Sequence, residues 1–300
     1  MRWMRGAGWA TLLLAVTAPA VRGTAQSAQA RPLPDVPTLM RQVQQHQRAL
    51  DKIREIYTYT SEQTTEDLDR SGHVTKTESK TGDDFFVNGH VIERTVKKNG
   101  QPLDAHDAQK EMDRVTRLVE KAEQIPPGRP LQGPTITVGR LLEIMAVSGE
   151  RRVEFRGRPT IVFDFVGRKD AKTHGILEDA SKKLRGTIWI DEADRQVARL
   201  EVTFMDNFHV AGGLLAKVEK GSHFGFDQAP VPKPKDDDAK NGGAGGDQLW
   251  LPTGAEGTVD ARVLLLKTVR QHFVERDYDF QRFRVETGQP GKARVSGGKR

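Results

Sequence analysis

The most constraining feature of this sequence is a strict alternation of apolar and polar side chains in its second half. Within residues 197–204, Ala198, Leu200, Val202 and Phe204 project to one side of an extended chain, and polar or charged residues project to the other. A strand with one buried and one solvated face is typical of an antiparallel sheet. Because neighbouring segments repeat the pattern between turn residues, the sequence predicts a meander of antiparallel strands.

Helical periodicity appears in three places. Asp35 is a predicted N-cap for a first helix whose apolar stripe runs from Val36 to Tyr57 and includes His46 as a core or boundary residue. A second helix is predicted from Asp104 to Ile125 and a shorter one over 138–147. The second helix is expected to bury Ala108, Met112, Val115, Val119 and Ala122.

Turn signals divide the remaining chain into strands. The Asn-Gly pairs at 88–89 and 99–100 predict tight hairpin turns. The acidic pairs Asp83–Asp84 and Asp277/Asp279 are interpreted as solvated turn residues. A final strand pair is predicted over 259–274 and 280–285.

Low-complexity composition marks a predicted insertion and the C-terminal end. Residues 229–247 combine prolines, glycines and three successive aspartates, which predicts a disordered loop; the aspartates lack the ligand spacing and closing Glu of a calcium loop. Residues 288–300 form a predicted flexible basic tail. The region between, 31–287, is predicted to be a single domain containing the insertion.

Residues 1–30 have the pattern of a cleavable signal peptide. Arg2 and Arg5 precede an apolar stretch of about ten residues, and Ala28-Gln29-Ala30 supplies a small-x-small cleavage site. A spanning helix needs about 20 apolar residues, so no transmembrane segment is expected in the mature chain. Export by the unfolded route, with cleavage near Ala30, is therefore predicted.

Composition and motifs exclude several classes of function. The chain has no cysteine, which rules out thiolate catalysis, thiolate metal sites and disulfides. Its 47 basic residues, three of them in the signal segment, nearly balance 41 acidic ones, so no nucleic-acid partner is predicted. Phosphate-binding, nucleophile-elbow and zinc-protease motifs are missing, and we predict no catalytic residue, metal site or cofactor.

Two segments resemble exported proteins of the lipoprotein-localisation superfamily, the LolA/LolB-like group. They are Leu184-Arg-Gly-Thr-Ile-Trp-Ile-Asp191, followed by the strand 196–204, and Leu249-Trp-Leu-Pro252, leading to the C-terminal strands. The resemblance implies an α+β fold: a strongly curved antiparallel sheet, forming an incomplete barrel, with helices packed in its concave mouth. It also implies a periplasmic location and an apolar cavity for a lipid or acyl-chain ligand. No functional residue is transferred from the group.

The inward apolar face of the predicted sheet supplies the candidate cavity residues. These are Phe155, Ile161, Phe163, Phe165, Ile188, Ile190, Leu200, Val202 and Phe204. A packed core is the alternative interpretation for each of them. Three functions follow in order of preference: a carrier or sensor of a hydrophobic ligand, an envelope or stress-sensing module with a protein partner, and a metal-independent hydrolase.

Overall fold

The computed structural model describes residues 32–210, apart from 128, 130, 132–135 and 137, together with 216–232, 248–263 and 267–282. The predicted signal peptide, the C-terminal tail and most of the predicted insertion lie outside the described residues. The described residues from Leu33 to Arg282 form one compact unit.

Within the described residues the chain forms four helices and thirteen strands. The helices are α1 (Val36–Arg54), α2 (Ala105–Gln124), α3 (Val138–Ile144) and α4 (Ile176–Ser181). The strands are β1 (Tyr57–Leu68), β2 (Val74–Val87), β3 (His90–Lys98), β4 (Gln101–Pro102), β5 (Met145–Phe155), β6 (Arg158–Gly167), β7 (Leu184–Asp191), β8 (Val197–Phe204), β9 (Phe208–Val210), β10 (Ala216–Val218), β11 (His223–Pro232), β12 (Gln248–Val263) and β13 (Lys267–Arg282).

All thirteen strands belong to one sheet, and every pairing in it is antiparallel. The strand order is β4-β3-β2-β1-β13-β12-β11-β8-β7-β6-β5, with β10 joining β12 to β9. The path runs from β4 to β5 without closing, which confirms the predicted open antiparallel sheet with helices. We call the face that packs against α1 the inner face and the other the outer face.

The first helix covers the apolar end of the inner face. Leu39 and Val43 of α1 are at most 1 % exposed and pack against β6, β7 and β8, while Leu50 packs beside Tyr57 in a second cluster. The Asp35 carboxylate accepts a hydrogen bond from the Thr38 N–H at 3.0 Å, which confirms the predicted N-cap. The N-terminal part of α1 is therefore fixed on the sheet by its apolar stripe and its cap.

A polar cluster at the β7–β8 turn fixes the middle of α1. Asp191, which is 1 % exposed, accepts hydrogen bonds from the Asp194 N–H at 2.7 Å and from the Arg158 guanidinium. The same guanidinium donates to Asp194 at 2.6 Å, and the Trp250 indole N–H donates to Asp194 at 2.9 Å. The turn contacts α1 through a hydrogen bond between the Asp194 carbonyl oxygen and His46 Nδ1, which are 2.9 Å apart. The two segments that carry the family resemblance thus meet in space.

A row of glutamine side chains makes the second polar connection to α1. Gln47, 1 % exposed, donates to Gln196 at 2.9 Å and accepts from Gln228 at 3.1 Å. Buried amides are stable only when they are hydrogen-bonded, so this row fixes the rotation of α1 about its axis. It also corrects the sequence prediction for His46, which is exposed, because Gln47 takes the buried position on the stripe.

The two ends of the sheet are protected in different ways. On β3, the Thr95 N–H donates to Glu111 of α2 at 2.6 Å, and the Glu93 carbonyl accepts from Arg114 of α2. These two side chains form an ion pair and satisfy backbone groups that would otherwise point outward from the strand. At the other end, β5 carries charged residues over 150–152, which discourages pairing with another strand.

The hairpin turns predicted from Asn-Gly pairs are confirmed. Asn88 and Gly89 have φ of 49° and 77°, and Asn99 and Gly100 have φ of 48° and 74°. Positive φ at both central residues is the geometry that twisted hairpins require, and asparagine and glycine adopt it at low cost.

Several predicted boundaries are wrong for identifiable reasons. Residues 145–147 begin β5 instead of extending α3, because they pair with β6. Residues 229–232 are not part of a loop but extend β11; there its prolines are tolerated because this stretch pairs with β12 alone. β12 ends at Val263 and β13 begins at Lys267, so the boundary predicted between 274 and 280 is wrong: the chain near Asp279 is a bulge inside β13, with φ of 54° at Asp279. The predicted buried face of α2 is wrong at its start, where Ala108 and Met112 are exposed, and is confirmed at Val115 and Ala122, which are buried.

We predict that Asp191→Ala destabilises the fold by roughly 3 kcal/mol, because it removes one of the two carboxylates that pair with Arg158 and the acceptor of the Ala193 and Asp194 N–H groups. Urea unfolding followed by circular dichroism measures the free energy. Asp206→Ala, at an exposed position just after β8, is the control and should change it by less than about 0.5 kcal/mol. Equal stability of the two variants would contradict the role assigned to Asp191.

Candidate functional site on the inner face

The nine predicted cavity residues divide between two apolar clusters. Seven of them are at most 4 % exposed and pack together with α1 and α3; these are Ile161, Phe163, Phe165, Ile188, Ile190, Leu200 and Val202. Phe204 lies at the border of the same cluster, and Phe155 packs with Trp189 in the second one, their rings 6.0 Å apart. This end of the inner face is filled by protein side chains.

Further along the inner face, the next three strands form a more open apolar strip. Phe224 and Phe226 of β11 lie beside Val202 and Leu200 of β8, and Phe226 packs on the first cluster. On β13, Phe273 lies opposite Gly257 of β12. We call this strip the apolar trough; its residues are Val202, Phe224, Phe226, Ala255, Gly257 and Phe273.

Small residues form the floor of the trough. A Cβ atom placed on Gly257 would lie 2.9 Å from both Phe224 Cβ and Phe273 Cε1, so the two aromatic side chains approach each other across a position without a side chain. Phe224 is 36 % exposed, an unusual exposure for phenylalanine, and Phe273 is partly exposed. The trough is therefore an apolar surface that α1 and α3 leave partly uncovered.

Beyond the trough, the inner face becomes acidic. Phe273, Glu275 and Asp277 are successive inward residues of β13. Asp277 pairs with Ser61 of β1. On the other side of β1 lies β2, whose Asp84 pairs with Glu93 of β3. We call Asp84, Glu93, Glu275 and Asp277 the carboxylate cluster.

Burial dominates the electrostatics of the two aspartates. The pKa of Asp84 is raised to about 7, chiefly by burial and then by Glu93 and Glu275, while a hydrogen bond from Ser61 opposes the rise. The pKa of Asp277 is raised to about 7 by burial, Glu275 and Asp84, with Arg54 of α1 acting in the opposite direction. Near neutral pH this pair therefore exchanges protons, which ordinary aspartates do not.

The pKa values of two neighbouring groups, Glu275 and Tyr59, are raised as well. Burial and Glu93 raise the pKa of Glu275, against a 3.2 Å hydrogen bond donated by the Gln63 amide. The pKa of Tyr59 is strongly raised by burial and by Asp84 and Asp277, so its hydroxyl stays protonated. The site thus holds several groups whose charged forms are disfavoured together.

One oxygen of each aspartate has no hydrogen-bond donor. Asp84 Oδ2 and Asp277 Oδ1 are buried and lack a partner among the described residues, and the Asp84 side chain as a whole is 6 % exposed. An unpaired buried acceptor costs roughly 1–3 kcal/mol. These two atoms are the points at which the site is chemically unsatisfied.

The outer face has two depressions with a different chemistry. The first, of about 310 Å³, is lined mainly by Arg199, Glu201, His223, Glu256 and His272, and it also borders Val202, Phe224 and Gly257 of the trough. The second, of about 470 Å³, lies beside it around Arg276 and also borders Ala255, Glu275 and Asp277. Arg199 forms ion pairs with Glu201, Glu256 and Asp227 at 2.6–2.7 Å. Because these charges already satisfy one another, the outer depressions are weaker candidates than the inner face.

The described residues contain neither a metal-binding group of side chains nor a membrane-spanning helix. No group of three or more histidine or acidic side chains in that part of the chain is arranged to hold a metal ion. None of the helices described above is both long and apolar enough to cross a membrane.

Sequence reasoning missed the carboxylate cluster. The sequence predicts solvated turns at Asp84 and Asp277, yet both residues lie inside long strands and face the inner side of the sheet. The signal that was available is the alternation of β13, in which Phe273, Glu275 and Asp277 share a face. Acidic residues are depleted from strands, so an alternating strand that keeps them inward indicates a site.

The raised pKa values predict an unusual pH dependence of stability. The folded state keeps protons on Asp84 and Asp277 between about pH 4 and 7, where the unfolded chain has lost them. Their contribution is therefore full at low pH and is lost as the pH rises through 7. At each pH, the effect of Asp84→Asn is the free energy of unfolding of the variant minus that of the wild type. We expect this difference to be roughly 2 kcal/mol more positive at pH 8 than at pH 5.

Asp83→Asn is the matched control for that measurement. Asp83 is the neighbour of Asp84 but faces the outer side, where it forms an ion pair with Arg94 at 2.5 Å. Chemical unfolding at pH 5, 6, 7 and 8 gives the difference curves. A flat difference for Asp84→Asn, like that expected for Asp83→Asn, would contradict the assignment of a raised pKa.

Comparison with known proteins gives a distant structural likeness. No family model matches the chain, and no curated protein matches it. A solved domain from Vibrio parahaemolyticus, assigned provisionally to outer membrane lipoprotein sorting, is similar over 83 % of this chain and 92 % of that one, with 12 % identity and a TM-score of 0.36.

Proposed function

We propose that this protein is an exported binder of a hydrophobic, acyl-chain ligand, which lies in the apolar trough. The observation that carries the proposal is the partial exposure of Phe224 and Phe273 on a face whose adjoining end is fully packed. Monomeric proteins rarely leave aromatic side chains grouped at the surface without a binding role. A flexible chain seated between Phe224, Phe226 and Phe273 would remove that surface from water.

The filled end of the inner face has a supporting role in this proposal. Phe163 and its neighbours form a rigid wall against α1, while Val202 and Phe204 connect that wall to the trough. Val202 is 1 % exposed and belongs to the wall, so of these two residues the partly exposed Phe204 is the one placed to contact a ligand. The other predicted cavity residues keep the strands that present the trough in fixed register.

The alternative of an envelope interaction module is less well supported. Such a module would use exposed strand edges, but β3 is covered by Glu111 and Arg114 of α2, and β5 is charged. The ligand-binding proposal uses a surface that the fold leaves open, whereas the platform proposal needs edges that the fold protects.

Binding is tested with a neutral dodecyl chain that carries an environment-sensitive fluorophore. Phe224→Ala or Phe273→Ala should weaken its binding about tenfold, since each removes apolar contact worth roughly 1.5 kcal/mol, and should cost less stability than a core truncation. Phe163→Ala is the matched control: it should cost about 3–5 kcal/mol of stability and leave the dissociation constant unchanged while the protein remains folded. Unaltered binding in both trough variants would refute the proposed site.

Export is tested separately, because the signal segment lies outside the described residues. Expression of the whole chain in a bacterium with two membranes should yield a periplasmic form whose first residue is Arg31. A protein that stays in the cytoplasm with Met1 intact would contradict the proposed location without affecting the trough.

A further inference from the structure

We infer that the carboxylate cluster binds the ammonium group of a cationic amphiphile whose apolar chain occupies the trough. This inference rests on the function proposed above and names the ligand class for it. Its starting point is the chemistry of the cluster, in which four acidic side chains converge on one region of the inner face.

The unsatisfied atoms point to a missing donor. Asp84 is more than nine-tenths buried, and its Oδ2 has no hydrogen-bond partner in the described part of the chain. Asp277 as a residue is partly exposed, but its Oδ1 atom is buried and also lacks a partner there. Ser61 and Gln63 donate to Asp84 and Glu275, so the polar groups nearby are already engaged. Buried carboxylates normally have partners, and here two acceptor atoms face the same site without one.

A primary ammonium fits these acceptors better than a metal ion does. The described acidic and histidine side chains include no set arranged to coordinate a metal, which requires several oxygens at short and equal distances. An ammonium group has three donors that it can direct at acceptors on different strands. The cluster also carries a local excess of negative charge, which Arg54 offsets in part.

The spacing along β13 fits a ligand with an apolar chain and a charged head. Phe273 and Asp277 are four residues apart on the same face, which corresponds to about 13 Å along a strand. Glu275 lies between them, opposite Ala255 of the trough. A single amphiphile lying along the sheet would therefore place its chain on aromatic side chains and its head among carboxylates.

Ionised carboxylates are needed for this contact, so protons and ligand compete. Asp84 and Asp277 titrate near neutral pH, and a bound cation would favour their ionised forms. Binding should then release protons and become tighter as the pH rises. The charged or titratable groups that face the cluster are Arg54 of α1, Tyr59 of β1, Lys80 of β2, Glu93 of β3 and Glu275 of β13.

The test compares dodecylamine, dodecyltrimethylammonium and dodecanol by isothermal titration calorimetry on the purified chain. At pH 8 we expect dodecylamine to bind at least tenfold more tightly than dodecanol, with the trimethylammonium compound between them because it has charge without N–H donors. At pH 5.5 the advantage of dodecylamine should largely disappear. Titration near pH 7 in two buffers of different ionisation enthalpy should show proton release.

Variants separate head recognition from general effects on the fold. The double variant Asp84→Asn/Asp277→Asn should bind dodecylamine no better than dodecanol and release no protons. Asp83→Asn, on the opposite face, should behave as the wild type. Thermal unfolding of each variant confirms that it is folded before titration.

The outcomes distinguish this inference from the proposed function. Equal affinity of the wild type for dodecylamine and dodecanol at pH 8 would overturn the ammonium site and leave the trough intact. The ammonium site would also be overturned if dodecylamine kept its advantage over dodecanol in the double variant, since the ammonium group would then be recognised elsewhere. Failure of all three compounds to bind would overturn the trough as well.

Discussion

The placement of α1 on the sheet is the interaction on which the rest of the structure depends. An antiparallel sheet of this size has a large inner face, and the helix that covers it must be held at one position and one rotation. Apolar contacts of Leu39 and Val43 attract the helix but do not define its rotation, because hydrophobic burial is not directional. The Gln47 amide and the turn at Asp191–Asp194 supply the directional contacts.

With α1 fixed in this way, the inner face changes character from one side of the sheet to the other. Strands β6 to β8 are covered and fully packed, and strands β11 to β13 present aromatic rings over glycine and alanine. The carboxylates lie further along β13 and on β2 and β3, with the polar residues Ser61 and Gln63 of β1 between them. The helix follows the same gradient, from Leu39 over the packed end to Arg54 near the acidic end. A surface that changes from apolar to charged in this way is complementary to an amphiphile, whose apolar chain would lie on the aromatic part and whose charged head would lie on the acidic part.

Local features of the fold were predictable where a short-range rule decides the outcome. The Asp35 and Asp104 caps, the two Asn-Gly turns and the strand 197–204 all follow from neighbouring residues alone. The position of His46 was not predictable, because His46 and Gln47 both lie near the apolar stripe and the choice between them depends on Gln196 and Gln228. The cluster was missed for a related reason: Asp84 and Asp277 are brought together by pairing between distant strands.

A glycine within a strand shows how the site is nevertheless encoded in the chain. Glycine weakens a strand interior, so its presence there indicates a close approach by another group. A Cβ on Gly82 would lie 2.8 Å from Glu93 Cγ and 3.2 Å from Ser61 Oγ, which means that the Glu93 side chain lies across this position toward Ser61. In the trough, the side chains of Phe273 and Phe224 likewise lie close to the position that a Cβ on Gly257 would occupy. Both halves of the proposed site therefore depend on a strand position without a side chain, where a larger residue would displace the groups that line it.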